Sequence, residues 1–412
     1  MGRLFLFLSA LGFLWSGCET KPSQTIPLQT SGDWLFELVI EGHTIPFHAK
    51  IETDSVGTKF WVQNGAERIE ADMVEVKDDS LLVQLAVFNT VIKAQFLSDS
   101  TLKGAYFDYS RENYSIPLVG SKGTPRFPQL DSARVSLAGR WAVGFSPGTD
   151  DGYPAVGEFT QNGNYVEGTF LTTTGDFRFL EGTVSGDSVF LSAFDGAHAL
   201  LFKARIDGDS IFGGFWSGKH WQEPWIGVRN EKATLPNPET LTFLNPGYKR
   251  LDFSFKDLEG NVVSLSDKRF RNKVVIVQLM GSWCPNCMDE TAYLVNVYKQ
   301  YHAEGLEVIA LAFERESDEI SAIRNLSRLR THFSIPYSIL LAGSSSKDEA
   351  SEKLPMLNRV LSFPTTIIVD RKMKVRRIHT GFSGPGTGQH YTDFTQRTDA
   401  FLVDLLNERI TF

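Results

Sequence analysis

The sequence predicts an α/β domain at the carboxyl end of the chain, preceded by a duplicated all-β region of meander-barrel or sandwich type. Three observations carry that reading. Short alternating runs separated by Gly, Asn, Asp and Ser fill residues 32–230, the pattern of antiparallel strands and tight turns. From residue 251 apolar runs alternate with helical-period segments, as in a sheet covered on both faces. Composition changes at the same point: residues 251–412 hold 20 Lys and Arg against 20 Asp and Glu, so the net charge of −8 falls entirely in the first 250 residues, with 27 of the 35 glycines. Two compositions within 412 residues imply more than one domain.

The same numbers exclude several classes. An acidic balance is a poor match to nucleic acid, because phosphate binding needs a basic surface, so no nucleic-acid partner is expected. No apolar run reaches the roughly 18 to 20 residues of a membrane-spanning helix. The three cysteines, Cys18, Cys284 and Cys287, are too few for a disulfide scaffold or a four-cysteine zinc site.

Residues 1–17 place Arg3 ahead of an apolar core from Leu4 to Trp15, the order of a secretory signal peptide. They run through Leu14-Trp15-Ser16-Gly17 into Cys18, which resembles the lipobox of bacterial lipoproteins, with Trp15 where an aliphatic residue is usual. That resemblance implies lipidation at Cys18 and export. Residues 18–31, polar with Pro22 and Pro27, would then form a lipid-anchored tether.

The β region divides into unit 1, residues 32–120, and unit 2, residues 136–230. Expected strands include Leu81–Val87, Lys93–Phe96, Phe177–Leu180 and Leu200–Ile206. Gly32-Asp33-Trp34 returns as Gly139-Arg140-Trp141, Asp79-Ser80-Leu81 as Asp187-Ser188-Val189, and Asp99-Ser100 with Gly104 as Asp209-Ser210 with Gly213. The offset drifts only from 107 to 110, as one duplicated unit with small loop insertions requires. Each unit is long enough to close its own barrel or sandwich. The opening Gly-x-Trp resembles the first strand of lipocalin-like barrels. Trp34, Trp61, Trp141, Trp216, Trp221 and Trp225 are expected to fill cores rather than line a ligand cavity. His198 and the group His220, Trp221, Glu223 lack ligand spacing with a third donor and read as surface or packed residues. A proline-rich linker, residues 231–250, leads into the last domain.

In that domain Val274–Met280 is a buried-strand run that ends in Gly281-Ser282-Trp283-Cys284-Pro285-Asn286-Cys287. Leu294, Val297, Tyr298 and Tyr301 then recur at helical spacing. Further strands are expected at Leu306–Phe313, Tyr337–Leu341, Thr365–Asp370 and Lys374–His379, with helices over 316–333 and at the carboxyl end. Pro285 suits a first helical turn, where its missing N–H is no loss. Cys284 would then stand at a helix N-terminus, whose free N–H groups and dipole stabilise a thiolate. Cys287, one turn further in, is close enough to pair with it. Cys284 is therefore the expected nucleophile and Cys287 the resolving thiol. Half a zinc site is poorly supported, because no His stands within the motif and no further cysteine follows it.

The Trp283-Cys284-Pro285-Asn286-Cys287 motif, the strand before it and Phe363-Pro364-Thr365-Thr366 resemble the thioredoxin superfamily. The likeness is to membrane-tethered thiol–disulfide oxidoreductases of the TlpA/ResA type, and the lead-in from Leu251 to Leu265 resembles the hairpin of that subgroup. It covers residues 251–412 and implies a thioredoxin-like C-terminal domain. Pro364 would be cis and face the disulfide, and Phe363 would help Trp283, Pro285 and Asn286 shape a substrate groove. Thioredoxin's buried Asp is replaced here by Gln278, whereas Glu290 stands where this subgroup places a proton acceptor and donor. The resemblance further implies disulfide-containing protein substrates, reduction as the favoured direction, re-reduction by a membrane thiol-transfer partner, and no metal or organic cofactor. The location would be the cell envelope, facing the periplasm, with membrane contact through the lipid anchor alone. The competing expectations are a peroxiredoxin-like peroxidase and a ligand-binding lipoprotein with an accessory redox domain.

Overall fold

The structure, a computed structural model, describes residues 29–316 and 318–408, so Cys18, the expected signal segment and most of the tether lie outside the described residues. The first nine strands are β1 (Gly32–Ile40), β2 (His43–Thr53), β3 (Thr58–Asn64), β4 (Glu67–Glu70), β5 (Met73–Lys77), β6 (Ser80–Leu85), β7 (Thr90–Ser98), β8 (Thr101–Asp108) and β9 (Tyr114–Lys122). They form one antiparallel sheet in the order β4-β3-β2-β1-β9-β8-β7-β6-β5. The next eight are β10 (Gly139–Phe145), β11 (Tyr153–Asn162), β12 (Tyr165–Thr172), β13 (Leu180–Ser185), β14 (Ser188–Phe194), β15 (Ala199–Asp207), β16 (Ser210–Ser217) and β17 (Trp221–Arg229). These close into a barrel, with β10 pairing both β11 and β17.

Matching residues serve matching purposes in the two units. Trp34 and Trp141 are fully buried, and each indole N–H donates to the carbonyl four residues earlier, Thr30 at 2.8 Å and Leu137 at 2.9 Å. At Gly104 and Gly213 a Cβ would lie 2.0 and 2.1 Å from the carbonyl oxygens of Lys93 and Lys203, so only glycine lets the neighbouring strand approach.

Closure differs from the expectation that each unit seals itself. In the second unit β12 pairs directly with β13, Tyr165 opposite Thr183. In the first, the chain turns at Gly65-Ala66 and the short β4 takes the free ladder of β3, Trp61 opposite Glu70. β4 and β5 therefore remain as edges, and the first sheet stays open. Its core continues into the barrel instead, where Phe47 stacks on Phe194 at 4.3 Å. The barrel interior is filled by Phe145, Phe170, Phe202, Phe215 and Trp225. Trp216 packs half-buried against His43, while Trp221 is 47% exposed at the barrel rim and is no core residue.

The expected strand at Phe177–Leu180 is also corrected. β13 begins only at Leu180, and residues 173–179 form a loop in which Arg178 takes a left-handed conformation with φ 58°. Phe177 and Phe179 on either side of Arg178 suggested a strand, but Phe177 turns into the barrel core against Phe215 while Arg178 turns out to charged partners.

The last domain comprises β18 (Ser254–Asp257), β19 (Val262–Ser264), β20 (Val274–Met280), α1 (Pro285–Tyr301), β21 (Leu306–Glu314), α2 (Glu319–His332), β22 (Ser338–Ser344), α3 (Lys347–Lys353), β23 (Thr365–Val369), β24 (Val375–Thr380) and α4 (Gln389–Asn407). Its sheet runs β19-β18-β22-β21-β20-β23-β24, with β20, β21 and β22 parallel and β23 antiparallel to β20. Every residue of β20 is buried, as a central strand covered on both faces demands. The segment 231–250 is docked, not free: the Asn245 amide donates to the Pro355 and Leu357 carbonyls, and Thr380 bonds Thr242. No helix among the described residues is long and apolar enough to cross a membrane.

Candidate redox site

The site grows from the carboxyl end of β20. After Met280 the chain turns through Gly281 and Ser282, and Glu314, at the end of the neighbouring β21, accepts from the Ser282 N–H at 2.8 Å and its hydroxyl at 2.5 Å. The Trp283 indole donates to the Phe313 carbonyl at 2.9 Å, and the Arg315 guanidinium covers its ring at 4.4 Å. This braced turn delivers Cys284 as the N-cap of α1, with Pro285 at the first helical position. The Cys287 N–H donates to Cys284 Sγ at 3.3 Å, and the two residues are joined as a disulfide. A sulfur in that position receives the unpaired helical N–H groups that favour a thiolate.

The Phe363–Pro364 bond is cis, and Cys284 Sγ lies 3.5 Å from the Phe363 carbonyl oxygen. Phe363 packs edge-on against Trp283 at 6.0 Å, so the motif and the proline loop are in direct contact. Asn286 donates to the Phe382 carbonyl at 3.2 Å.

Glu290 lies beneath the disulfide, only 1% exposed. One carboxylate oxygen accepts from Thr366 at 2.7 Å and the other from Gln278 at 2.9 Å. Burial raises the Glu290 carboxyl to about 7, against the opposing pull of those two hydrogen bonds. The Gln278 amide also reaches the Cys287 carbonyl at 3.5 Å, linking the carboxyl to the backbone of the inner cysteine. The residue that looked like a departure from thioredoxin is thus the support of Glu290. Glu314, which the sequence reading missed, is likewise buried and raised to about 7 by its burial. Its only sequence signal was an acidic residue ending the apolar run of β21.

The structure also brings β-region residues to this place. A cavity of about 360 Å³ separates the barrel mouth from Pro285 and Asn286. His198, His220, Trp221 and Glu223, expected as surface or packed residues, line it together, Trp221 exposed and Glu223 buried. Glu223 is buried and accepts from Ser146 at 2.6 Å, Tyr153 at 2.9 Å and the Trp221 indole at 3.0 Å. The approach of His198, in the β14–β15 turn, to His220 and the start of β17 could not be read from spacing, because separate hairpins of the barrel bring them together. Among the described residues no group of three or more His, Cys, Asp and Glu is arranged to hold a metal.

Residues 246–378 match the family model described as the AhpC/TSA family. Over 130 residues the chain is 27% identical to thiol-disulfide oxidoreductase ResA of Geobacillus thermodenitrificans, a match covering 32% of this chain and 66% of that protein. It is also 27% identical over 138 residues to thioredoxin-like protein YneN of Bacillus subtilis, covering 34% of this chain and 73% of the relative. A solved thiol:disulfide interchange protein of the thioredoxin family from Chlorobium tepidum aligns with 42% of this chain and 99% of its own, at 17% identity and a TM-score of 0.30. By fold, the carboxyl-terminal part of the chain is a thioredoxin-like domain, preceded by all-β sheets that include a closed eight-stranded barrel.

Proposed function

We propose that this protein is an exported thiol–disulfide oxidoreductase that reduces protein disulfides through Cys284 and Cys287. The observation that carries the reading is the Cys284–Cys287 pair at the α1 N-terminus, one helical turn from the buried Glu290. In the reduced protein the Cys284 thiolate attacks one sulfur of a substrate disulfide. A mixed disulfide forms and the first substrate thiolate leaves. Glu290, as carboxylate, takes the Cys287 proton, and the new thiolate attacks Cys284 Sγ. The second substrate thiolate leaves, both substrate thiolates take up protons, and the protein keeps the two-cysteine disulfide. A membrane thiol-transfer partner then restores the dithiol. Lipidation at Cys18 would hold the domains in the cell envelope, facing the periplasm, with Trp283, Pro285, Asn286, Phe363 and Pro364 forming the substrate groove.

The match to the AhpC/TSA family raises one second reading, a thiol peroxidase, without favouring it. A resolving cysteine three residues from the nucleophile disfavours it, because the pair is built for disulfide exchange. A Cys287→Ser variant decides the matter: it is expected to accumulate mixed disulfides with envelope proteins, separable on non-reducing gels. Absence of trapped species, with wild-type peroxide turnover and no insulin reduction, overturns the proposal.

A further inference from the structure

The loop joining β12 to β13 leaves the barrel wall and lies across the redox motif. The Thr174 carbonyl accepts from the Ser362 hydroxyl at 3.1 Å, directly before the cis-proline pair. Asp176 accepts from the Gly384 N–H at 2.6 Å. Gly175 lies so near Asn286 that a Cβ there would sit 1.8 Å from the Asn286 amide nitrogen. Gly381, from the opposite side, has room for no Cβ either, since one would lie 2.9 Å from the Thr174 carbonyl carbon. Glycines on both sides of the contact show how closely the two backbones approach. With the loop in place, Cys284 is 6% exposed and Cys287 is fully buried.

One cation fastens the loop. The buried Arg178 pairs with Asp289 on α1 at 2.8 Å and with Glu67 on β4, and stands 4.0 Å from Asp195 after β14. Both β units and the redox domain therefore each supply one carboxylate to it. The short β4, which keeps the first sheet open, is what carries Glu67 to this point. Within the loop, Phe177 anchors the chain to the barrel through Phe215 at 5.1 Å.

We infer that residues 173–178 are a built-in pseudosubstrate. Resting on the proposed oxidoreductase function, they occupy the groove that a disulfide-bearing peptide would use, and Arg178 latches them there. Thiolate attack requires the substrate sulfurs to reach Cys284 nearly in line, which an extended protein chain cannot do while this loop fills the groove. The loop also displays the chemistry the groove accepts: a tight turn, closed by the Thr172 N–H donating to the Gly175 carbonyl, with a small residue over Asn286 and a carboxylate on the Gly384 N–H. The substrate class that fits best is thus a flexible disulfide-bearing peptide with an acidic residue near a glycine.

The test compares full-length wild type with Arg178→Ala and Asp176→Ala. Each is reduced with dithiothreitol, and carbamidomethylation of Cys284 by iodoacetamide is followed by mass spectrometry. Arg178→Ala removes a charged latch and is expected to speed alkylation about tenfold. Asp176→Ala removes the acceptor of the Gly384 and Arg178 N–H groups from this partly buried loop while leaving the Arg178 charges in place, and is expected to give a smaller rise of about threefold. Insulin reduction should increase in the same order. Equal alkylation rates in wild type and Asp176→Ala overturn the inference, whether or not Arg178→Ala folds. Failure of every protein to reduce insulin, with alkylation still accelerated, would strike the proposed function and leave the covering role standing.

Discussion

Glu290→Gln measures what it takes to keep a carboxyl under the disulfide. Burial lifts Glu290 from 4.5 to about 7. Each tenfold change in proton affinity is about 1.4 kcal/mol, so ionising this group in the folded chain costs on the order of 3 kcal/mol more than in the unfolded chain. The folded value lies above the unfolded one. The associated stability is therefore fully present below about pH 4.5 and is lost as pH rises through about 7. Between about pH 4 and pH 8 the wild type should lose about 3 kcal/mol on this account, whereas Glu290→Gln should lose none of it. Replacing the carboxylate also changes the bonds from Thr366 and Gln278, but that contribution is a constant offset across pH. Hydrogen exchange of the β20 and β23 amides, in oxidised wild type and variant at matched pH, isolates the difference in opening free energy of this domain. In parallel, the rate of insulin reduction should lose its inflection near pH 7 in the variant. A stability gap that stays flat from pH 4 to pH 8 refutes an ionisable carboxyl held in a desolvated site.

Two further substitutions probe the supports of the fold and the site. Trp34→Phe and Trp141→Phe each remove one buried indole hydrogen bond, so each should lower thermal stability by about 1–2 kcal/mol. Because the two units use the same device, similar losses are expected, and an effect at only one position would contradict equivalent roles. Glu314→Ala leaves the Ser282 N–H and hydroxyl without their acceptor beneath the turn that sets Cys284. It should cost about 1–3 kcal/mol and slow insulin reduction, with Glu314→Gln recovering most of both. Full activity in the alanine variant would remove Glu314 from the positioning of Cys284.

Several features of the site were legible because they are local. A proline after Cys284, an apolar strand before it and helical spacing after it placed the nucleophile at a helix N-terminus, and the structure has it there. Glu290 was legible only through family resemblance; its burial came from β23 packing Thr366 over it and from β20 supplying Gln278. Glu314 was not legible, since it lies on β21, 32 residues from the Ser282 it braces. The loop at 173–179 misled in the other direction, because Phe177 and Phe179 gave it the alternation of a strand while their neighbours served a different domain.

The duplicated β pattern, the α/β domain and the two-cysteine motif were readable in advance, because each is written in nearest-neighbour periodicity, turn residues and short spacing. Packing was needed to close one β unit and leave the other open, to join carboxylates from three parts of the chain at Arg178, and to lay a barrel loop over the disulfide. Those outcomes depend on which strand ladder is already occupied and which charges meet in a buried place. Arg178 meets Glu67 and Asp289 across 111 residues of chain each, whereas the ladder of β3 is taken by the adjacent β4.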